Sequence, residues 1–600
     1  MKTSKHLVAS ALSTLALISS ALSGSPHIRS INPKTSAGNT RDLFLKHILE
    51  HSPDYGNFHN LSSSKGEGLK VGIIGAGAAG LYTALLLESL GVDYEILEAS
   101  ERVGGRIYTH RFDEAAWRAS KPGEPEYYDY YDVGAMRFPG MKWMDRIIGP
   151  SNNSLVSHIN SRLPEGEERI KLIPYIFEAN NTFRLFNDEL AYNQVTPSAD
   201  TFHVQLAGGS AANDSFDATS ASSVFSNTVE DLVRGLDADF QTGFDMLMKF
   251  DGISVRQYLL SKGFSPQQID WMETVTDSTT HFDTYALSQG VLEQWIFFEA
   301  PLDSWVCVEG GMDRITDGMV KIISKPVETR KRVTAIRPAH GGDGALTVVI
   351  NDQEERTYDH VINTVPLGAM QVMDMKSLDL DYRKKLAIRK LQYDPAGKIG
   401  MKFKSRWWEN LDSGFFQGGQ SFSDLPIRRS VYPSYGLDVP DAPGTMIASY
   451  TWGQDSSRLG AYYGQPESRE RIVDITLHNL AQTHNVTYDF LRSQYIDSHL
   501  WDWYDGQDAV GGFAIFGPDE YSSVMPALMM PAANGRLHFA GEALSSGHAW
   551  IIGAVNSAYR TVVEALAVEK MDEKLNQLVD TWGVIDEVDM GWFSHAFNKA

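Results

Sequence analysis

The chain has 600 residues, 42% hydrophobic and 11% aromatic, enough for several domains and too apolar for a disordered protein. Its 53 Lys and Arg against 76 Asp and Glu give a net charge of −23, which repels phosphate backbones and excludes nucleic acid as a natural partner. With a single cysteine, Cys307, the chain can form no internal disulfide and no cysteine-based zinc or iron–sulfur site, and no metal site is expected.

At the N-terminus, Lys2 and Lys5 precede an apolar run over residues 7–22, and the small residues Ala21 and Ser23 stand before Gly24. That is the layout of a secretory signal peptide over residues 1–23, and it predicts a secreted protein. Asn60, Asn152, Asn180, Asn213 and Asn485 each open an Asn-x-Ser/Thr site, which fits a glycoprotein. Residues 24–65 read as a polar leader or extended arm. No other apolar run reaches the ~20 residues of a membrane span.

Residues 69–74 predict a buried strand. They lead into Gly75-Ala76-Gly77-Ala78-Ala79-Gly80, a helical run over 81–90, and a second strand over 94–97 that ends in Glu98, 23 positions after Gly75. Each part has a task at a dinucleotide. Gly75 allows the tight turn, Gly77 lets the backbone approach a pyrophosphate, and Gly80 lets helix and strand pack closely. The helix N-terminus faces the phosphates, and the carboxylate accepts from ribose hydroxyls. Arg102-Val103-Gly104-Gly105-Arg106 follows at once and offers a second close approach with a fixed cation at Arg106. These features alone leave NAD and FAD both open.

Further along, Gly310-Gly311-Met312-Asp313 forms a turn, and a β-meander runs from Arg332 to Pro366. In residues 396–403 the period of two puts Lys398 and Lys402 on one strand face and Ile399, Met401 and Phe403 on the other. Near the C-terminus a strand over 536–539 leads into Ala540-Gly541-Glu542. His548-Ala549-Trp550-Ile551-Ile552-Gly553-Ala554 then opens a helix reaching about residue 567.

Residues 75–80, 98–106 and the C-terminal stretch together resemble the flavin amine oxidase superfamily. The resemblance covers nearly all of residues 70–567 and implies an α/β fold with three parts. These are a discontinuous Rossmann-like FAD-binding domain (66–140, 306–392 and 532–570), a helical domain (141–305) and a mixed-sheet substrate-binding domain (393–531). Residues 571–600 form a C-terminal extension. The implied cofactor is FAD. Its binding residues are Gly75, Gly77, Ala79, Gly80, Glu98, Ala99, Arg106, Gly134, Ala135, Met136, Arg137, Val333, Glu542, Trp550 and Ile551. Val333 would meet the adenine through its backbone, and Ile551 would turn its N–H to the flavin pyrimidine edge. Cys307 lies far from the C-terminal motif, so the flavin should be held non-covalently.

The stretch Gly134-Ala135-Met136-Arg137-Phe138-Pro139 narrows the resemblance to L-amino-acid oxidases, where an arginine in this context binds the substrate carboxylate. A guanidinium pairs with carboxylate in a planar, bidentate way and stays charged when desolvated. Tyr432 resembles the tyrosine that supports the same carboxylate, and Trp550 resembles a wall of the substrate pocket. Lys398 resembles the catalytic lysine that holds a water near the flavin. The implied reaction is oxidative deamination of an L-amino acid by O₂, giving a 2-oxo acid, ammonia and H₂O₂. An amine or polyamine oxidase, or an amino-acid 2-monooxygenase, remains open on the same fold, as does a flavoprotein that only binds FAD. Relatives are often homodimers, and no residue here identifies a catalytic base or a side-chain preference.

Overall fold

A computed structural model of the protein describes Lys46 and residues 48–50, 68–204, 214–276, 278–340, 344–585 and 587–588. The signal peptide, most of the leader, and the Asn60 and Asn213 sites lie outside the described residues. Asn152, Asn180 and Asn485 are exposed. The described part of the leader is not extended: Ile48 and Leu49 are helical and buried in the main core.

The strand Lys70–Ile74 is buried from Val71 onward because both faces of its sheet are covered. It lies at the centre of a parallel five-stranded sheet in the order Leu537–Phe539, His360–Asn363, Lys70–Ile74, Asp93–Leu97, Val327–Glu328. Three segments distant in sequence thus build one sheet, as the discontinuous FAD domain requires. The helix Ala78–Ser89 packs against Ile551–Val568. This last helix is the one among the described residues long and apolar enough to cross a membrane, and it is wholly buried. The expected meander is present as Val333–Pro338, Leu346–Ile350 and Glu354–Tyr358, all antiparallel.

A second sheet has seven strands: Tyr495–Asp502, Ala396–Phe403, Gly444–Trp452, Arg429–Val431, Gln420–Ser423, Phe183–Phe186 and Glu189–Tyr192. Its last two strands come from within residues 141–305, the segment expected to form the helical domain. They form a hairpin whose two turn residues, Asn187 and Asp188, both have positive φ (51° and 61°). Asn and Asp tolerate that region, and the turn's twist matches the flanking strands. The segment also holds the strand Leu172–Pro174, paired antiparallel with Val306–Val308, and several helices. Ala221–Ala238 buries Ala221, Phe225, Val229, Leu232 and Leu236 along one face, so the Ser-rich residues 221–226 begin an amphipathic helix.

In the C-terminal extension, the helix Asp572–Trp582 docks on Ala78–Ser89. Trp582 meets Tyr82 edge-on at 5.3 Å and donates from Nε1 to Ser89 Oγ at 3.0 Å. Cys307 is buried on the strand Val306–Val308, and burial pushes its thiol pKa well up.

Candidate active site

A cavity of about 1140 Å³ lies between the two sheets and the helical segment. All the residues expected to bind FAD line it except Gly80. Gly80 stands behind the loop, where an added Cβ would sit 1.9 Å from the Gly75 carbonyl oxygen; its role is packing helix on strand.

The loop geometry fits a dinucleotide. Gly75 has φ +101°, which favours glycine. A Cβ on Gly77 would approach no protein atom closer than 3.9 Å, and one on Gly541 would meet none within 4 Å. Both glycines line the cavity, so a methyl there would take up cofactor space. Glu98 accepts from the Ala76 N–H at 2.8 Å and from the Ser100 N–H and hydroxyl at 2.8 and 2.7 Å, which fixes the carboxylate at the cavity wall. Arg106 donates to Glu542 at 2.7 Å, and Glu542 also accepts from the Ala514 and Ala549 amides at 3.0 Å. The helix Ile551–Val568 starts at the cavity with no side-chain cap, so its first N–H groups and positive dipole end favour an anion or an electron-rich ring edge there.

Lys398 is 2% exposed. Its ammonium donates to the carbonyls of Asp132 and Gly134 at 2.9 and 2.8 Å and meets Met136 Sδ at 3.6 Å. Burial draws its pKa down, the Asp132 carboxylate opposes that, and the Arg137 charge adds to it. Burial draws Asp132 up, against hydrogen bonds from Thr109 and the Met312 amide. The lysine thereby ties down the residues just before Arg137.

Arg137 lines the cavity, donates to the Tyr175 hydroxyl at 3.1 Å, and has its Cζ 4.7 Å from the Phe177 ring and 5.5 Å from Trp305. Among the described residues no carboxylate ion-pairs with it. Trp550 is half-buried, lines the cavity and leans on Trp305 at 6.0 Å, so it is a wall and not a core aromatic.

Tyr432 is a correction. It is 1% exposed and lies away from the cavity, between the seven-stranded sheet and the helix Arg469–His484. Its hydroxyl bonds Ser421 Oγ at 2.7 Å and His484 Nε2 at 2.5 Å. Alternation along Arg429–Val431 explains this: Arg429 lines the cavity, Val431 packs in the same cluster as Trp305, and Tyr432 falls on the opposite face.

Several residues of the site went unrecognised in the sequence. Tyr175, which stands behind the cavity wall and bonds Arg137, had no motif. Tyr450 and Trp452 share one face of Gly444–Trp452, and Tyr450 stands directly opposite Lys398 in the register. A period-two reading of residues 444–452 would have paired them. Tyr285 and Glu293 enter from the helical segment. Behind Tyr285, the buried His281 accepts or donates between the Tyr285 hydroxyl and Asp394.

The sequence profile of flavin containing amine oxidoreductases matches residues 78–566. The chain belongs to that family. FAD is its cofactor, and it is a flavin-dependent amine oxidoreductase. L-amino-acid oxidase 4 of Hebeloma cylindrosporum is 37% identical over 558 residues, covering 87% of this chain and 86% of the relative. A Dictyostelium discoideum protein named as a bifunctional amine oxidase is 36% identical over 575 residues, covering 92% of this chain; the chain spans about half (52%) of that relative's length. Among solved structures, putrescine oxidase bound to putrescine has TM-score 0.60 at 16% identity, covering 83% of this flavoenzyme and 99% of that chain. Cyclohexylamine oxidase of Brevibacterium oxydans has TM-score 0.58 at 16% identity, covering 84% and 100%. These two share the fold.

Proposed function

We propose that the protein is an L-amino-acid oxidase that deaminates its substrate to a 2-oxo acid with release of ammonia and H₂O₂, and that it acts outside the cell. The observation that carries the substrate class is Arg137: a guanidinium at the cavity wall, without a carboxylate partner among the described residues, on a loop whose preceding residues are pinned by Lys398. An amine lacking a carboxylate would leave that charge uncompensated. The name of the Hebeloma relative agrees with this reading, and the layout of residues 1–23 supports export.

In this reading the substrate carboxylate takes a bidentate pair with Arg137, whose orientation Tyr175 sets. That pair fixes the position of the α-carbon, and Trp550 and the neighbouring aromatics exclude water around it. When bound, the flavin supplies the two-electron acceptor for the α-C–H hydride and passes the electrons on to O₂. The amine must be neutral to lose hydride, so turnover falls at acid pH.

The test is anaerobic mixing of the purified protein with L-amino acids, their D-forms and the corresponding decarboxylated amines, followed through loss of flavin absorbance near about 450 nm. Bleaching by L-amino acids alone, strongly weakened in Arg137→Ala, supports the reading. Bleaching by amines, indifferent to Arg137→Ala, overturns it.

A further inference from the structure

The family profile ends at residue 566, and the chain beyond it returns to the cofactor cavity. After the helix Asp572–Trp582, the carbonyls of Trp582 and Val584 accept from Arg146 Nη1 and Nη2 at 3.0 and 2.9 Å. The Gly583 carbonyl accepts from the Tyr559 hydroxyl at 2.6 Å. Ile585 and Val588 are buried in the main core. Tyr559 stands in the middle of the helix Ile551–Val568, whose first residue lines the cavity. The tail is thus docked on the helix that opens the candidate active site.

Glu587 carries this docking to the loop in front of that helix. It is 2% exposed, and Ser546, its partner in the loop, is fully buried. Glu587 Oε1 accepts from the Ser546 N–H at 3.2 Å and from the Ser546 hydroxyl at 2.8 Å. Burial draws the Glu587 carboxyl up, while the Ser546 bonds and the Arg560 charge oppose it. A carboxyl at that depth is costly unless its bonds are made, and so is a buried backbone N–H. Each group therefore needs the other.

The loop itself shows why an outside anchor matters. Ala549 has φ +65°, a left-handed conformation that a residue other than glycine keeps only where its surroundings hold it. Trp550, the cavity wall, follows directly. The loop is held at three points: Ser546 by Glu587, His548 by the Tyr521 hydroxyl and Gln289 Oε1 at 2.9 and 3.0 Å, and the Ala549 N–H by Glu542 at 3.0 Å. Trp143 backs it, with its ring edge-on to Trp550 at 6.5 Å and an atom 2.9 Å from where a Cβ on Gly547 would sit. Residues 143–146 therefore support the wall through Trp143 and the tail through Arg146.

Resting on the reading above, in which Trp550 walls the substrate pocket, we propose that Glu587 is a positioning residue for the oxidation. Through Ser546 it fixes the loop that presents Trp550, so the C-terminal tail sets the shape of the pocket without touching the substrate. Removing the carboxyl frees Ser546, lets the strained Ala549 relax and displaces the wall.

The experiment measures KM, kcat, flavin content and melting temperature for Glu587→Ala, Glu587→Gln and Ser546→Ala, each in the native holoenzyme and in a Trp550→Ala background. The substrate is one L-amino acid that reduces the native flavin. Glu587→Ala should raise KM about tenfold with a smaller change in kcat, the scale of a misplaced binding wall. Ser546→Ala removes one of the two donors and should raise KM about threefold. Glu587→Gln keeps the acceptor and should hold KM within about twofold of the native value. In the Trp550→Ala background neither alanine variant should raise KM further, while both still lower the melting temperature. A native KM in Glu587→Ala and Ser546→Ala with a lowered melting temperature overturns the proposal, and so does a KM rise that survives in Trp550→Ala. Where Glu587→Ala fails to fold, Ser546→Ala in the two backgrounds decides by the same criterion. If L-amino acids leave the flavin oxidised and an amine bleaches it, the amino-acid reading falls, and the same cycle run on that amine decides the role of Glu587.

Discussion

Arg106 and Glu542, 436 positions apart, meet at 2.7 Å and close the cofactor cavity from its two ends of sequence. The expectation was that Arg106 would offer its charge to a diphosphate. In the structure that charge is shared with a carboxylate that also collects two amides, so the pair acts as a clasp joining residues 102–106 to the loop before the last core helix. Glu542→Ala leaves the guanidinium and both amides without their acceptor. Breaking a pair buried to this degree costs about 3–5 kcal/mol. Thermal unfolding and flavin content should fall together; Glu542→Gln should lose less of each.

Gly77→Ala and Gly80→Ala separate cofactor binding from folding. The first adds a methyl 3.9 Å from the nearest protein atom and should leave the apoprotein folded while lowering flavin retention. The second drives a methyl to 1.9 Å from a backbone carbonyl and should depress expression and melting temperature before flavin enters the account. Melting curves with and without added FAD read the difference.

Tyr432→Phe tests the corrected position. The variant loses hydrogen bonds to Ser421 and to His484, leaving buried polar atoms without a partner at a cost of about 1–3 kcal/mol. Stability should fall while KM for the substrate holds. A large rise in KM with unchanged stability would return Tyr432 to the substrate site.

His360 and His484 are buried, and burial holds the pKa of each down at about 4. In the unfolded chain a histidine takes up its proton near pH 6.5, so between about 6.5 and 4 the unfolded state binds more protons. Their stabilising contribution is full above that window and is lost as pH falls through it. Raised carboxyls such as Asp317, drawn up to about 6, act in the opposite direction, so the slope is read by difference. His484→Gln should flatten the fall in melting temperature between pH 6.5 and 4 relative to the native protein.

Lys398→Met should loosen the Arg137 turn. It removes the donor that spans the Asp132 and Gly134 carbonyls, and KM should rise about tenfold or more, the scale set by small misplacement of an orienting group. Steady-state kinetics with saturating O₂ measures it, with the flavin spectrum as a check on folding.

The cofactor half of the site was legible because its constraints are local. Gly75, Gly77, Gly80 and Glu98 sit at fixed spacings in one strand–turn–helix–strand unit, and backbone approach permits few substitutes. The substrate half is assembled across strands, where one step of register decides which face a side chain takes. Tyr432 fell to the wrong face for that reason, while Arg429 and Tyr450 carried no motif to mark them. The hairpin at 183–192 was hidden by its helical surroundings, although its Asn187-Asp188 turn was visible in the residues.

Cys307 gives the fold a further property. The thiolate is the form that peroxide attacks, and the buried strand at 306–308 keeps this thiol protonated and out of solvent. Under the proposed reaction every turnover releases an oxidant beside the protein's own interior. The chain's single oxidisable thiol is packed where that oxidant finds almost no nucleophile, so loss of activity during prolonged turnover should begin at other residue types, with this sulfur still reduced.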